Sequence, residues 1–243
     1  SGTVKLEEAI STRDDVMNYL IEHGVRPLTA FKVMENVRKG KGLEKGGSNN
    51  KAELDAAHVP QWFIDSCLKI GYLFPRAHAV AYVMMAFRIA WFKVYQPLAY
   101  YAAYFTIRAE GSFNAPVILK GLESQKAELA RIAALEHSTA VEKGNATVIE
   151  VAAEMYLRGM EFLPIDLDRS DASEFKMVDG KLLPPFNCIP ALGDAVAKEI
   201  VRARDEHLFT SKEDLKKRGK VSQSIIDTMD SMGILKNMPD EEQ

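Results

Sequence analysis

The chain has 243 residues, of which 47% are apolar, so it can bury the core of one large domain or of two smaller ones. Its formal net charge is only −3, so no overall positive charge indicates a nucleic-acid partner, and local basic patches would have to hold one. The two cysteines, Cys67 and Cys188, form no CxxC pair and have no histidine at ligand spacing. This excludes a disulfide framework and a zinc knuckle and suits a reducing cytoplasm.

The first residue is Ser1 and no signal peptide or lipidation motif follows it, so we expect a piece of a longer protein. The longest apolar stretch covers residues 76–93, with His78 and Arg88 inside it. It is predicted to form a buried helix that is too short and too charged to span a bilayer. No membrane partner is therefore expected.

Two amphipathic helices are predicted within residues 11–40. Ser11 or Thr12 would cap the first helix, and Gly24 would end it. The second helix would follow Pro27. Its expected buried side chains include Leu28, Phe31 and Met34.

A stretch rich in Gly, Lys and Asn, residues 39–51, predicts a mobile loop. Pro60 would open a third helix, and the central apolar helix would run over residues 78–95. Pro97 would then start an aromatic-rich helix. The Gly-Ser pair at 111–112 marks a predicted domain boundary.

The second half of the chain begins as helix and changes character after Gly159. Two amphipathic helices, residues 115–137 and 146–158, would be joined by a Lys-Gly-Asn turn. Asp179 and Gly180 indicate a tight hairpin turn between two short strands. The predicted strands are residues 162–167, 175–178 and 181–183.

Residues 26–45 carry six basic side chains and two acidic ones. Lys39 and Lys41 lie in the glycine-rich part, where a flexible backbone can follow nucleic-acid phosphates without reading sequence. A solvated surface loop is the alternative interpretation. The six basic residues are Arg26, Lys32, Arg38, Lys39, Lys41 and Lys45.

Residues 189–193, Ile-Pro-Ala-Leu-Gly, resemble a helix-hairpin-helix element, whose glycines let the backbone approach a phosphate closely. The N-terminus of the following helix then presents free amides and a partial positive charge to that phosphate. Ala191 stands where the first glycine is usual, and Gly193 keeps the second. A second copy is predicted at residues 218–222, and an ordinary helical hairpin is the alternative for both. The candidate DNA contacts of the two copies are Gly193, Lys212, Lys217, Gly219, Lys220 and Ser222.

The segment FPRAHAVAY, residues 74–82, places Arg76 and His78 at the start of the central helix. Tyr82 follows one turn after His78, on the same face. A cation and a histidine at a helix N-terminus suit a triphosphate, and a tyrosine ring offers a flat surface to a base. The alternative interpretation is a core helix with a capping histidine.

Residues 74–110 resemble the fingers of the C-family bacterial replicative DNA polymerases, most of all those of the PolC type. Residues 11–43 resemble the preceding part of the fingers, and residues 162–175 and 182–235 resemble the duplex-binding region, in the order expected for that family. The resemblance implies a mainly α fold with a small β element. Helical fingers, residues 1–112, would precede a duplex-binding domain with tandem helix-hairpin-helix elements, residues 113–243.

The resemblance implies DNA synthesis on a primed template. Arg76 and His78 would contact the triphosphate, Tyr82 would help to shape the nucleotide pocket, and Lys93 would be a further phosphate contact. The tandem hairpins would hold the newly made duplex. The implied partners are primer–template DNA, the incoming deoxynucleoside triphosphate, the sliding clamp and other replisome subunits, all in the cytoplasm.

The implied cofactor is Mg²⁺, held by palm aspartates that the family places upstream of the fingers, so this segment alone is expected not to synthesise DNA. Asp166 and Asp168 resemble a metal-binding pair on a strand, and we interpret them as structural acids. The clamp would bind a C-terminal peptide, of which Gln243 would be the first residue and the rest is absent, so this chain is expected not to bind the clamp through it. The alternatives are a non-catalytic helix-hairpin-helix DNA-binding module and a helical scaffold that binds only protein.

Overall fold

A computed structural model describes residues 2–44, 49–109 and 111–241, and within them the chain is mainly helical with one two-stranded antiparallel sheet. This confirms the predicted mainly α fold with a small β element. The helices are α1 (Arg13–Glu22), α2 (Pro27–Val37), α3 (Asn50–Ala56), α4 (Gln61–Lys69), α5 (Arg76–Tyr95), α6 (Pro97–Ile107), α7 (Ala115–Ile118), α8 (Leu122–Ala133), α9 (Ala140–Leu157), α10 (Asp194–Glu206), α11 (Lys212–Arg218) and α12 (Gln223–Ser231). The strands are β1 (Lys176–Val178) and β2 (Lys181–Leu183), and short 3-10 helices cover Leu6–Glu8 and Phe186–Cys188.

The chain divides into two compact units, Ser1–Arg88 and Ile89–Gln243, and the division falls inside α5. The sequence-based boundary at 111–112 lies within the second unit. As a division between fingers and a duplex-binding domain, that boundary stays a prediction.

In the first unit, α1 begins at a capping box, as its sequence predicts. Thr12 takes the N-cap position, and its backbone N–H donates to Asp15 Oδ2 at 2.7 Å. Gly24 follows the helix with a φ of +85°, a conformation that ends helices and that glycine adopts without strain. Val16 and Leu20 of α1 are fully buried, so part of the predicted apolar stripe forms core, whereas Ile21 of the same predicted stripe is 38% exposed.

The buried face of α2 differs from the prediction, because Leu28 is 66% exposed and Phe31 is 49% exposed. Two apolar stripes compete on this helix. The apolar stripe with Leu28 and Phe31 is interrupted by the charged Glu35 one turn later. The stripe that starts at Ala30 stays apolar for one more turn. The longer stripe packs against α1 and α4, and its residues are Ala30, Val33, Met34 and Val37.

The stretch predicted as a mobile loop, residues 39–51, overlaps the helix α3 only at its last two residues, and α3 then continues to Ala56. Leu54 is fully buried there, and the buried Asn50 donates its side-chain amide to Leu43 O at 3.0 Å. The contact ties α3 to the segment that follows α2 and supplies a partner for a buried polar group. Lys45, one of the six basic residues of this region, lies outside the described residues.

The central helix α5 was expected to be buried, and this prediction is wrong. It extends over 20 residues, and none of them is buried. Its apolar side chains lie on every side of the helix, so no single stripe selects a face for packing. By length and composition alone, α5 is also long and apolar enough to cross a membrane, which corrects the statement that this segment is too short and too charged. One such helix among the described residues is weak evidence for a membrane.

The second unit buries aromatic side chains of α6 against α9 and the hairpin. Tyr101 is fully buried and Phe105 is 2% exposed. The ring of Phe105 contacts the rings of Phe113, Phe162 and Phe175 at centroid distances of 5.1–5.6 Å. Such edge-to-face and tilted arrangements are the favoured geometry of aromatic pairs, and they form the centre of this core.

The Lys-Gly-Asn turn predicted between two helices lies inside α9, so this prediction is wrong. The helix begins earlier, because Thr139 caps it and Glu142 reaches back to the Thr139 backbone N–H at 2.9 Å. Gly144 within the helix has a packing reason: a Cβ there would meet Ser112 Oγ at 3.1 Å. A close neighbour on the adjoining segment therefore keeps the helical position small.

The β1–β2 hairpin forms as predicted, with Asp179 and Gly180 both in the left-handed region at φ values of 51° and 75°. The strand predicted at 162–167 does not form. Phe162 makes one isolated bridge to Leu182, and the segment then leaves the sheet at Pro164. A proline cannot donate to a ladder, which explains why pairing stops there.

Candidate nucleotide and DNA interface

The start of α5 is bound to the start of α1 through two carboxylates. Arg76 N donates to Asp14 Oδ2 at 2.7 Å, and the Arg76 guanidinium forms an ion pair with Asp15 Oδ1. Arg13 N also donates to Phe74 O at 3.1 Å. Since the first amides of a helix have no partner within it, the Asp14 carboxylate caps α5 from a different helix.

Asp15 connects these two helix starts as an anion. Burial acts to raise its pKa, but hydrogen bonds from Arg76, Ser11 and Thr12 together hold the pKa well below its ordinary value. Two carboxylates therefore face one guanidinium, and the start of α5 is not the simple cationic site that its sequence suggests. Asp14 and Asp15 were not predicted, because they lie about 60 positions before Arg76 and no local pattern relates them.

His78 and Tyr82 form part of a row of stacked rings on the surface of the first unit. The Phe74 and His78 rings are parallel at 4.9 Å, and the His78 and Tyr82 rings lie 4.3 Å apart with a tilt of 32°. Tyr72 meets Phe74 edge-on at 4.8 Å. We call these four residues the aromatic ladder. The spacing of four between 74, 78 and 82 was the sequence signal for Phe74, which was not among the candidates.

Lys93 lies in the second unit and has acidic and aromatic neighbours there. Its Nζ lies 2.8 Å from Glu154 Oε2 of α9 and 5.4 Å from the centre of the Tyr100 ring. The hydrogen bond to Glu154 is the main reason why the pKa of Lys93 is raised. The backbone carbonyl of Lys93 accepts a bond from Arg158 at 2.9 Å. A phosphate would have to compete with Glu154, and the role of Lys93 in nucleotide binding stays a prediction.

The basic loop after α2 is partly compensated by one glutamate. Glu35 accepts from Arg38 Nε at 2.5 Å and from Lys39 Nζ at 3.0 Å, and these two bonds lower its pKa to about 2. Lys39 and Lys41 are exposed, as a phosphate-following role requires. The loop therefore presents lysines to solvent next to a firmly bound arginine.

In the first predicted hairpin, Ala191 occupies the position where this motif normally has a glycine, and its backbone adopts the conformation that glycine would adopt. Ala191 adopts a φ of +64°, the left-handed region in which most side chains are strained. Leu192 is buried beside it, and Gly193 is the N-cap of α10. No side chain caps this helix, so Gly193 leaves the first turn open to an external acceptor.

The second hairpin repeats this arrangement. Lys220 adopts a φ of +53°, Val221 is buried, and Ser222 is the N-cap of α12. Gly219 is required one position earlier, since a Cβ there would meet Leu215 O at 2.7 Å. The Ser222 side chain accepts from Ile225 N at 3.4 Å, so this helix start is capped whereas that of α10 is not. The structure thus contains two turns of the same form, each opening a helix.

The three candidate lysines of this region all have acidic neighbours. Lys212 Nζ lies 3.3 Å from Asp230 and 3.0 Å from Asp240, and Lys217 Nζ lies 3.6 Å from Glu213. Lys220 binds Glu199 of α10 at 3.0 Å, which joins the two hairpin units. Arg202 and then Lys220 lower the pKa of Glu199 to about 2. Lys217 and Lys220 are still more than 70% exposed and can reach another anion.

Asp166 has a structural role in a turn. Its Oδ1 accepts from the backbone N–H groups of Asp168 and Arg169 at 2.9 and 3.1 Å, and its Oδ2 pairs with Arg169 Nε at 2.9 Å. Residues 166 and 168 are not on a strand, so the spacing of two does not align their carboxylates. Across residues 2–44, 49–109 and 111–241 no group of three or more His, Cys, Asp or Glu side chains is placed to hold a metal ion.

The left-handed turn at Ala191 gives a stability prediction. Ala191→Gly should raise the free energy of unfolding by about 0.5–1 kcal/mol, because glycine removes the Cβ strain of the left-handed conformation. Ala127→Gly, in the exposed interior of α8, should instead lower it by about 1 kcal/mol. Urea denaturation of both variants measures the two values, and equal destabilisation would contradict a strained turn.

The anionic Asp15 gives a prediction of pH dependence. Asp15→Asn should lower the free energy of unfolding at pH 7 by about 1–2 kcal/mol, because the charged bonds to Arg76 and Thr12 are lost. The pKa of Asp15 is lower in the folded state, so its contribution is complete above the ordinary value of about 3.9 and is lost as the pH falls towards the folded-state value. The difference from wild type should therefore shrink below pH about 4.

Urea midpoints at pH 7, 4.5 and 3 measure this dependence. Asp55→Asn is the control in the same unit, since its pair with Lys51 is exposed and should contribute less than about 0.5 kcal/mol at any of these pH values. A constant difference between Asp15→Asn and wild type across the range would contradict an anionic Asp15 as the connecting group.

Comparison with known proteins agrees with both the hairpins and the family resemblance. Residues 159–243 match the family described as the helix-hairpin-helix motif. Over its whole length the chain is 51% identical to DNA polymerase III PolC-type of Thermotoga maritima and 50% identical to that of Pediococcus pentosaceus. Over 98% of its length it is 50% identical to that of Bacillus subtilis.

The chain spans 17%, 17% and 16% of the lengths of these three relatives. The resemblance to the C-family polymerases of the PolC type is thereby confirmed along all of its residues, including those around Arg76 and those of both hairpins. From end to end, the chain is homologous to one segment, about a sixth, of the PolC-type DNA polymerases III.

Proposed function

We propose that this chain works as the fingers and duplex-binding segment of a PolC-type DNA polymerase III, a DNA-directed DNA polymerase of bacterial chromosome replication. The main observation in support of the proposal is sequence identity. About half of the residues of the chain, compared over all or nearly all of its length, are identical in polymerases of this name. A non-catalytic helix-hairpin-helix module would account for residues 159–243 alone. The polymerase accounts for both units, and we favour it for that reason.

In this proposal the start of α5 binds the triphosphate of the incoming nucleotide. Arg76 is 56% exposed and uses one of its nitrogens, Nη2, for Asp15, so other donors of the guanidinium can reach a phosphate. His78 supplies a ring nitrogen nearby, and Tyr82 supplies a face for the base. Lys93 is a further phosphate contact that must leave Glu154. Phosphate oxygens compete well for arginine, because they accept bidentate charge-assisted bonds.

In the same proposal the two hairpins hold the newly made duplex. Gly193 and the uncapped start of α10 present backbone amides to one phosphate. Gly219, Lys220 and Ser222 form the second contact, with Lys212 and Lys217 beside it. Lys39 and Lys41 add phosphate contacts from the first unit. Such contacts position DNA without reading its sequence, which is what a polymerase that copies any template requires.

The remaining partners of the proposal belong to the longer polymerase chain. Mg²⁺ would be held by palm aspartates and would supply the charge stabilisation for phosphoryl transfer. The sliding clamp would bind a C-terminal peptide that starts at Gln243, which lies outside the described residues. Other replisome subunits and a cytoplasmic location follow from the same assignment.

Duplex binding by the hairpin region tests the proposal. The chain should bind a duplex of any sequence, with an affinity that falls steeply as salt rises from 50 to 200 mM, because each neutralised phosphate adds about −0.9 to the slope of log K against log salt. Reversing the charge of Lys212, Lys217 and Lys220 to Glu should weaken binding at least tenfold and make the slope shallower. Fluorescence anisotropy with a labelled duplex measures both quantities.

The control reverses three exposed lysines of the same unit outside the two helix-hairpin-helix elements, Lys126, Lys143 and Lys176. It changes the net charge equally, so a similar loss in this variant would mean that only the overall charge matters. Unchanged binding after reversal of the hairpin lysines would remove the duplex-binding half of the proposal.

Nucleotide binding is tested in a PolC-type polymerase chain that carries these residues. Arg76→Ala should raise KM for the deoxynucleoside triphosphate about 10- to 100-fold, which corresponds to the loss of a charged hydrogen bond. Arg131→Ala, which removes an exposed arginine paired only with Glu128 and Glu142, should leave KM unchanged. Steady-state kinetics on a primed template supplies the values, and an unaltered KM for Arg76→Ala would refute the proposed triphosphate contact.

A further inference from the structure

The basic loop and the base of the aromatic ladder lie side by side in the first unit. Leu73 N donates to Arg38 O at 3.1 Å. Gly40 packs so closely on Gly71 that a Cβ on it would meet Gly71 O at 2.5 Å. These backbone contacts fix the Arg38–Lys41 stretch against Gly71 and Leu73, on either side of Tyr72, so the lysine-bearing loop runs next to the backbone that carries the Tyr72 and Phe74 rings.

The rings at this end of the ladder are exposed although they are held in place. Tyr72 is 56% exposed and Phe74 is 52% exposed. Phe74 is held by the parallel His78 ring on α5, and Tyr72 is held by the edge-on contact with Phe74. Tyr72 also interacts with Arg38: the pKa of Arg38 is raised first by Glu35 and to a smaller extent by Tyr72. Aromatic rings that are exposed and held in place by neighbours offer flat apolar faces on which another flat ring can stack.

The basic side chains on this surface can contact the phosphates of a nucleic acid. Because carboxylates pair with several of them, these contacts alone would supply only part of the free energy of binding. Glu35 compensates part of the charge of Arg38 and Lys39, and Asp14 and Asp15 face Arg76. A ligand that binds here must therefore gain much of its free energy from contact with the rings. Unpaired nucleic-acid bases do so, since every base has a flat face and stacking on an aromatic side chain is tolerant of sequence.

We propose that Tyr72 and Phe74, with Lys39 and Lys41 beside them, form a stacking site for unpaired bases of a single-stranded DNA. The inference goes beyond the proposed function, in which the hairpins hold duplex and the Arg76–Tyr82 end of the ladder binds a nucleotide. A strand passing along the lysine-bearing loop places its bases on the exposed faces of Tyr72 and Phe74. The site uses rings and cations together, the combination found in sequence-tolerant single-strand binding.

The test compares oligo-dT of about 12 nucleotides with an abasic strand of equal length and charge, each labelled for fluorescence anisotropy with the 243-residue chain. Oligo-dT should bind at least tenfold more tightly than the abasic strand. The double variant Tyr72→Leu with Phe74→Leu should weaken oligo-dT binding at least tenfold. Both side chains are more than half exposed, so the variant should fold, and a thermal melt verifies this.

The matched control replaces two exposed phenylalanines of the same unit that lie outside the ladder, Phe31→Leu with Phe87→Leu, and it should change oligo-dT binding less than twofold. A second measurement uses 5-iodouracil in the strand, and photo-crosslinks should map to Tyr72 or Phe74. Equal binding of the abasic strand, equal loss in the control, or crosslinks confined to the hairpin region would each overturn the inference.

Duplex binding measured in parallel separates this inference from the proposed function. The Tyr72–Phe74 double variant should bind duplex as the wild type does. Wild-type chain that binds duplex and not oligo-dT would reject the stacking site and leave the proposed function intact, whereas loss of both activities would reject both.

Discussion

The first functional surface depends on where α5 begins, and two carboxylates of α1 fix that point. Asp14 caps the first amide of α5, and Asp15 holds both the guanidinium of Arg76 and the N-cap of its own helix. A charge-assisted network of this kind fixes the helix start, because Pro75, the residue before Arg76, has no side-chain acceptor that could cap the helix. The register of the ladder follows from this start.

The second surface depends on strain held at two turns. Ala191 and Lys220 both adopt left-handed backbone conformations, in which a side chain is unfavourable by about 1–2 kcal/mol. Buried neighbours, Leu192 and Val221, anchor the turns to the core and keep them in this conformation. Both strained turns lie directly before a helix N-terminus. Strained backbone is often found where backbone N–H groups must point at a ligand, and a helix N-terminus is such a place.

Ion pairs hold many of the basic side chains in a chain whose net charge is −3. Glu35, Glu199 and Asp15 each hold one or more cations in place. Arg76 and Lys220 stay more than half exposed in these pairs, so a phosphate can approach them from solvent while the carboxylates remain in place. The acidic partners thus order the basic side chains, and in the proposed DNA complex they would oppose binding unless several cations are engaged together. Binding of this kind is sensitive to salt and tolerant of sequence.

Patterns that act within a few residues were determined by the sequence alone. The capping box at Thr12, the Asp179–Gly180 hairpin, the turns that open α10 and α12, and the family resemblance all rest on neighbours in the chain, and each was found in the structure or the comparisons. Periodicity was less decisive where two stripes competed. The choice between the Phe31 face and the Val33 face of α2 required its packing partners.

Tertiary structure decided every feature that joins distant residues. It placed Asp14 and Asp15 at the start of α5, Glu154 on Lys93, Glu199 on Lys220, and the basic loop beside Tyr72. It also left α5 exposed, although its composition predicted burial. The physical reason is that local sequence fixes backbone preference and hydrogen-bond capping, whereas burial and charge compensation depend on which surfaces come together only after the chain has folded.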